Sequence, residues 1–429
     1  MTNPEIQIPE QLSAVPGKPV AVLGCGISGK SVERLCSQLG WEATLFDEKS
    51  DDPSVVNSFD SDRAEEFSLV VYSPGFHKDH TWLQCAEKAG ALTLSEFDFS
   101  SLFWKGTIIA ITGTNGKTTL AEFLAKAFGH TGIDANAVGN IGQPLSELIA
   151  NGCNRESIAV CEISSFQAES LKHLVPDYVL WTNFSEDHLD RHADLREYFS
   201  AKHRLVTRCS SGKVFFDRSV YRSAIELGTS LSEECVVDDD TQAKALGIGG
   251  TVFATLPERN TYLMARALWQ DMGLAETDLI ATAHDFKKSP HRMELIRNHE
   301  GVSFWDDSKA TNFHAVLGAV SRFEDKVVWI GGGKGKGGDL EGFIDCLYSR
   351  IREAHLIGET KEEIAELLQK RNVSAVLHET MEDAVSAAFK KSKQGDNVLL
   401  SPGFASFDMF EGYTQRGEAF KKAVSLNLI

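Results

Sequence analysis

Short apolar runs that stop at a small or acidic residue and then give way to helical spacing recur along this chain, and that alternation restricts its fold more than any other feature. Val20–Leu23, Ile108–Ile111, Ile158–Cys161, Tyr178–Trp181, Val327–Ile330 and Val398–Leu400 are the clear cases. A strand that is apolar on both faces must be covered on both, which is the condition of a parallel sheet wrapped by helices. The expected class is therefore α/β with parallel sheets. At 429 residues the chain is too long for one ordinary core. Boundaries are expected near Phe97, where "LSEFDFSSLFWKG" closes the leading unit, and near Ser289-Pro290, giving domains over 1–97, 98–288 and 289–429. In such sheets ligands sit at the carboxyl ends of strands, so the residues just after each run carry the information.

The run Ile108–Ile111 leads into "TGTNGKTTL", and from Leu120 onward apolar residues Phe123, Leu124, Ala127 and Phe128 follow at helical spacing. A phosphate loop of the form G-x-x-x-x-G-K-[ST] would need glycine at Ile111. Here the glycine is displaced to Gly113, which shortens the loop. Gly116 can still cradle an anion, Lys117 supplies the cation, and Thr118 supplies a hydroxyl for Mg²⁺. A second glycine turn, "VLGCGISG", sets Gly24, Gly26 and Gly29 after Val20–Leu23, with Asp47 at the end of "ATLFD". Such a turn admits a nucleotide diphosphate, a dinucleotide, or nothing at all.

Glu162, in "VCEISSFQ", follows a buried-looking strand, where an unpaired carboxylate is costly but a Mg²⁺ ligand is natural. "NFSEDHLDRH" gathers Asn183, Asp187, His188, Asp190 and Arg191 after the next strand, as a ligand cluster or as a solvated helix start. The last third repeats the pattern. "SPHRMEL" holds His291 and Arg292; "DDSKATN" holds Asp307, Lys309, Thr311 and Asn312; "GGGKGKGGDL" holds Lys334 and Lys336; "SPGFASFDMFEGYTQRG" holds Ser401, Ser406 and Tyr413. Strand ends so rich in Ser, Thr and Lys suit a second anionic substrate.

Taken in order from Gly24 to Gly417, "GTNGKTT", "EISSFQ", "NFSEDHLDRH", "SPHRMEL", "DDSKATN" and "SPGFASFDMFEGYTQRG" resemble the Mur ligases of peptidoglycan synthesis. The shortened loop is that family's own form, which explains Ile111. The resemblance implies a Rossmann-like first domain for a UDP-sugar, a P-loop ATPase-like central domain for ATP, and a Rossmann-like C-terminal domain for the incoming amino acid. It implies an ADP-forming amide ligase that joins D-glutamate to UDP-N-acetylmuramoyl-L-alanine through an acyl phosphate.

By the same resemblance, Gly113, Thr114, Asn115, Gly116, Lys117, Thr118, Thr119, Arg292 and Asp307 meet ATP. Gly26, Ser28, Gly29, Asp47, Ser73, Asn140, Ser164 and Gln167 meet the UDP-sugar, and Thr311, Lys336, Ser406 and Tyr413 meet D-glutamate. Lys117, Asn140, His188, Lys202 and Lys309 serve catalysis. Thr118, Glu162, His188 and a carbamylated Lys202 hold two Mg²⁺ ions. Three positions depart from the family pattern: "LPERNTYLM" puts Arg259 and Leu263 where His and Asn are usual, and Tyr413 replaces Phe.

The charge balance, 43 Lys+Arg against 61 Asp+Glu for a net −18, argues against nucleic-acid binding, since phosphate contacts need basic patches. No signal-like start and no long apolar stretch are present, so a cytoplasmic protein away from membranes is expected, and separately a monomer. The eight cysteines show no C-x-x-C pairing and are expected to be reduced. Competing classes are a folylpolyglutamate-type ligase, which would not need the first glycine turn, an NAD-dependent oxidoreductase, which leaves the phosphate loop unexplained, and a nucleotide switch that makes no product.

Overall fold

The structure is a computed structural model that describes residues 7–15, 17–77, 79–152, 156–189, 191–237 and 242–427. Asp190 and Cys153 lie outside the described residues. The chain divides into two compact units: Met1–Asn183, Phe199–Asp239 and Thr261–Thr282 form the first; Phe184–Tyr198, Asp240–Asn260 and Ala283–Ile429 form the second.

In the first unit, strands β1 (Val20–Leu23), β2 (Ala43–Phe46), β3 (Leu69–Tyr72) and β4 (Leu92–Ser95) make a parallel sheet in the order β2-β1-β3-β4. Its core is aromatic: Phe46 meets Phe59 and Phe67 edge-on, with ring centroids 4.9 and 5.6 Å away. A second parallel sheet contains β5 (Thr107–Thr112), β6 (Ala135–Gly139), β7 (Ile158–Glu162), β8 (Tyr178–Trp181), β9 (Val214–Asp217) and β10 (Val236–Val237), in the order β10-β9-β8-β5-β7-β6. The apolar runs are its central strands, and β5, β7 and β8 are buried almost end to end.

Two acids join the sheets. In the short helix Glu96–Ser101, Asp98 accepts the backbone N–H groups of Lys172, His173 and Leu174 at 2.9, 2.8 and 2.8 Å. Glu96 accepts from the backbone and hydroxyl of Ser146 at 3.0 and 2.7 Å, and burial pushes its carboxyl above the ordinary range. Both are fully enclosed, so "EFDFSS" is a bolt between two sheets and not a linker.

The second unit holds a mixed sheet of β11 (Glu294–His299), β12 (Val302–Asp306), β13 (Val327–Gly331), β14 (Ile351–Leu356), β15 (Ser374–Leu377) and β16 (Asn397–Leu400), in the order β11-β12-β16-β13-β14-β15. Only β11 runs antiparallel, as an edge hairpin with β12. The inner strands β12, β16 and β13 end side by side, so Asp307, Ser401 and the glycines after Gly331 emerge together. No helix among the described residues is long and apolar enough to cross a membrane.

Candidate active site

Strand order builds the phosphate loop's surroundings. β5 lies between β7 and β8 in register Ile111↔Glu162 and Thr112↔Trp181, so the loop that leaves β5 is flanked by Glu162 on one side and by Thr182 and Asn183 on the other. Gly113 has φ +143°, and a β-carbon there would come within 2.0 Å of Thr182 Oγ1. Gly116, at φ +81°, turns the chain into the helix Lys117–His130. Asn183 locks the loop, its side-chain oxygen accepting from Asn115 N at 2.8 Å and its carbonyl from Thr114 N at 3.1 Å.

Lys117 curls back over the loop, donating to the carbonyls of Gly113 and Thr114 at 2.8 and 3.0 Å. Thr118 Oγ1 donates to Glu162 Oε2 at 2.8 Å, and Asn140 Nδ2 to Glu162 Oε1 at 2.9 Å. Glu162 is only 2% exposed, and among the described residues no cation pairs with it. A buried carboxylate held by neutral donors beside a threonine hydroxyl suits a hard divalent cation, so Thr118 and Glu162 fit Mg²⁺. Lys202, on the helix Leu195–Arg208, is 1% exposed and donates to the Gly113 carbonyl at 2.9 Å, the oxygen that Lys117 also holds.

At the first sheet, Gly24 (φ +96°) and Gly29 let the turn close: a β-carbon on Gly29 would sit 1.8 Å from the Gly24 carbonyl. Gly26 caps the helix Ile27–Leu39 with open space beside it, and Ser28 lies in that helix's first turn. Asp47 accepts from the backbone N–H of Cys25 and of Lys49, each at 3.0 Å, and these bonds hold its carboxyl below the usual carboxylate range. It therefore braces the turn. Ser73 Oγ is buried without a hydrogen-bond partner directly behind Gly24. Ser164 and Gln167 bond each other as a capping box, Gln167 N to Ser164 Oγ at 3.2 Å and Ser164 N to Gln167 Oε1 at 3.0 Å.

The second unit encloses a separate cavity lined by Asp187, His188, Thr311, Asn312, Lys336 and Phe404, among others. Asp187 accepts from Asn312 Nδ2 at 3.0 Å and stands 3.8 Å from Lys336 Nζ. Asn312 also caps the helix Phe313–Val320, accepting from Ala315 N at 2.9 Å. His188 has φ +58°, a left-handed conformation uncommon outside glycine, though histidine adopts it more readily than most residues. Of the residues expected around the amino acid, Thr311 and Lys336 share this cavity. Ser406 and Tyr413 do not line it. The Tyr413 ring instead lies beneath Lys309 Nζ, 3.8 Å from its centroid.

Asp307 accepts from Ser401 Oγ at 2.9 Å and from Met293 N at 3.1 Å, next to Arg292, and burial pushes its carboxyl well up. Leu263, at the altered position, is buried in the helix Glu258–Asp271 as a packing residue. One residue the sequence reading passed over is Arg416. Its fully buried guanidinium bonds Ser308 Oγ at 3.1 Å and the carbonyls of Ser308 and Phe404 at 2.9 and 3.1 Å, clamping the loops after β12 and β16. Only its place in "YTQRG" could have drawn notice.

A phosphate loop beside a buried acid, with a charged cavity on a further α/β sheet, is the equipment of a nucleotide-using enzyme with a second polar substrate. Residues 111–237 match the Mur ligase middle domain, and residues 291–404 the Mur ligase glutamate ligase domain. The UDP-N-acetylmuramoylalanine--D-glutamate ligase of Aquifex aeolicus is 33% identical over 94% of this chain and 98% of its own length. That of Thermoanaerobacter pseudethanolicus is 31% identical over 95% and 98%. The chain therefore belongs to the Mur ligase family. Among solved structures, UDP-N-acetylmuramate-alanine ligase MurC from Thermotoga maritima shares the fold with a TM-score of 0.60 over 95% of this chain and 99% of that one, at 14% identity. The MurF ligase of the same organism, in complex with ADP, gives 0.57 over 90% and 98%, at 16% identity.

Proposed function

We infer that this chain joins D-glutamate to UDP-N-acetylmuramoyl-L-alanine, an ATP-dependent amide ligation in peptidoglycan precursor synthesis. The observation that carries this reading is the match to D-glutamate ligases over 94% or more of this chain and 97% or more of theirs. A free carboxylate is a poor acyl donor. Transfer of the ATP γ-phosphate to the alanyl carboxylate makes an acyl phosphate; the D-glutamate amine then attacks the carbonyl carbon, the C–O bond to phosphate breaks, and ADP, phosphate and a new amide remain.

The residues fit these tasks. The loop from Gly113 to Thr119 takes ATP. Lys117 neutralises charge moving between the β- and γ-phosphates, as positioned cations do in phosphoryl transfer. Mg²⁺, held by Thr118 and Glu162, would screen the crowded anions, and a carbamylated Lys202 would offer oxygens to a second ion. Gly26, Ser28, Gly29 and the unpartnered Ser73 hydroxyl suit the UDP diphosphate, with Asn140 toward the acyl end. Asp47 shapes that turn through its backbone bonds. We assign the boundaries 1–97, 98–288 and 289–429 to the UDP-sugar, ATP and amino-acid domains, and place a monomer in the cytoplasm, where ATP and the nucleotide sugar are found.

The direct test is phosphate release from ATP with UDP-N-acetylmuramoyl-L-alanine and a panel of amino acids. D-glutamate should be required; equal rates with a diamino acid, or release that needs no amino acid, would overturn the reading. Lys336 is the cation available to a substrate carboxylate in the cavity, and a buried carboxylate without one is strongly disfavoured. Lys336→Ala should raise the KM for D-glutamate about 100-fold and that for ATP less than about threefold. Equal rises in both constants would remove Lys336 from the amino-acid site.

A further inference from the structure

The second unit also buries a pair of histidines that the ligation chemistry does not use. His355, on β14, is wholly enclosed, and its Nδ1 lies 3.0 Å from Nε2 of His378, the residue that follows β15 at the edge of the sheet. The two rings stack, with centroids 5.2 Å apart. His378 is half-buried and so within reach of solvent protons, whereas His355 Nε2 is buried with no hydrogen-bond partner. In register, His355 lies between Ile330 of β13 and Val376 of β15, neither of which offers a charge. The charged groups acting on the pair are Lys391 and Asp383, on the helix Met381–Lys391, and Lys361, at the start of the helix Lys361–Lys370. Lys361 is itself paired with Glu379 at 2.6 Å, and Glu353 precedes His355 by two residues on β14.

We propose that this pair is an acid-sensitive latch: neutral, it ties β14 to the end of β15, and on taking up protons it parts, loosening that edge of the sheet and the glycine loop the edge supports. A hydrogen bond between two imidazoles needs one bare nitrogen between them, so protonating both rings breaks it. A single proton on His355 already makes a buried cation whose Nε2–H has no acceptor. Burial above all, with His378 and Lys391 nearby, pushes the His355 imidazole down from its ordinary 6.5 to about 4. The open edge therefore takes the proton before the closed one does, and the latch is at full strength above about pH 6.5 and weakens as pH falls from there toward 4. The route to the glycine loop is short. His378 N donates to the Leu356 carbonyl at 2.8 Å; beyond Leu356, Ile357 N donates to the Gly331 carbonyl at 3.0 Å, and Thr360 N and Oγ1 to that of Gly333 at 3.1 and 3.0 Å. The same glycine loop carries Lys336 into the cavity.

Hydrogen exchange of the full chain, corrected for the intrinsic pH dependence of amide exchange, reads the latch directly. Between pH 7 and pH 5 the amides of β14 and β15 should open about tenfold more often in the wild type, measured against the amides of β5 and β7. His355→Leu and His355→Gln, which cannot take the proton, should lose that acceleration. Phosphate release should follow the same order: on moving from pH 7.5 to 5.5 the wild type should lose several-fold more turnover than His355→Leu, and should regain it when the pH is restored. If neither variant folds, nitrogen-15 spectra of the wild-type histidine rings report the event instead, the His355 ring staying neutral at pH 5.5 for as long as the edge is closed. An acceleration that persists in a folded His355 variant, β14 and β15 amides that exchange at one rate across this range, or a His355 ring that titrates near its ordinary value with the edge closed would overturn the proposal.

Discussion

Lys117→Ala should lower phosphate release by at least about a thousandfold and leave the affinity for UDP-N-acetylmuramoyl-L-alanine within about twofold of wild type. The ammonium donates to two carbonyls of its own loop, at Gly113 and Thr114, and so is held over the space the loop encloses. A cation placed there gains most when negative charge builds between the transferred and leaving phosphates, so its removal falls on turnover more than on ATP binding. The glycine turn of the first sheet, Gly24 to Gly29, is built on different strands and braced by Asp47, with no part of Lys117 in it. Isothermal titration with the UDP-sugar, set beside a phosphate-release assay, separates the two sites. Loss of UDP-sugar affinity in the variant would show that they are not independent.

Much of this was legible because it is local. Continuous apolar runs bounded by small residues specified the parallel strands, and the glycine spacing with a following amphipathic helix specified the phosphate loop. Glu162 was legible as a strand-end acid, but its meaning came from register: pairing of Ile111 with Glu162 sets the carboxylate against Thr118, forty-four residues away in the chain. Side-chain roles set by long-range contacts were not legible. Arg416 looks like any helix-start arginine until the loops at Ser308 and Phe404 close around it. Asp98 looks like a solvated acid, yet it binds three backbone N–H groups more than seventy residues away. Ser164 and Gln167 show the reverse case. Their S-x-x-Q spacing is a capping-box signature in its own right, and the structure gives them that role, whatever else they touch. Tyr413 was expected beside the amino acid, and its ring is found under Lys309; a phenylalanine would serve that contact as well, so the departure from the family pattern leaves it intact.

Lys202 should prove to act as an anion. Its ammonium and that of Lys117 converge on one acceptor, the Gly113 carbonyl, at 2.9 and 2.8 Å, and Lys202 is almost wholly enclosed. Two ammonium groups on one oxygen repel each other, a repulsion that addition of CO₂ to the Lys202 amine removes. Addition forms an N–C bond, releases a proton and turns a positive group into a carboxylate with two oxygens, the ligand type Mg²⁺ prefers. Lys202→Ala and Lys202→Arg should each lose about a hundredfold or more in turnover, the first by removing the anion and the second by installing a cation that cannot be carbamylated. A short carboxylic acid should restore part of the activity of Lys202→Ala by occupying the vacated space, and none to Lys202→Arg, where the space stays filled. Carbon-13 bicarbonate should give a carbamate resonance in the wild type that both variants lack, a signal independent of turnover. Near-normal activity of Lys202→Arg, or a wild-type enzyme that is fully active with no carbamate resonance, would show that Lys202 works as the cation it is in every ordinary lysine.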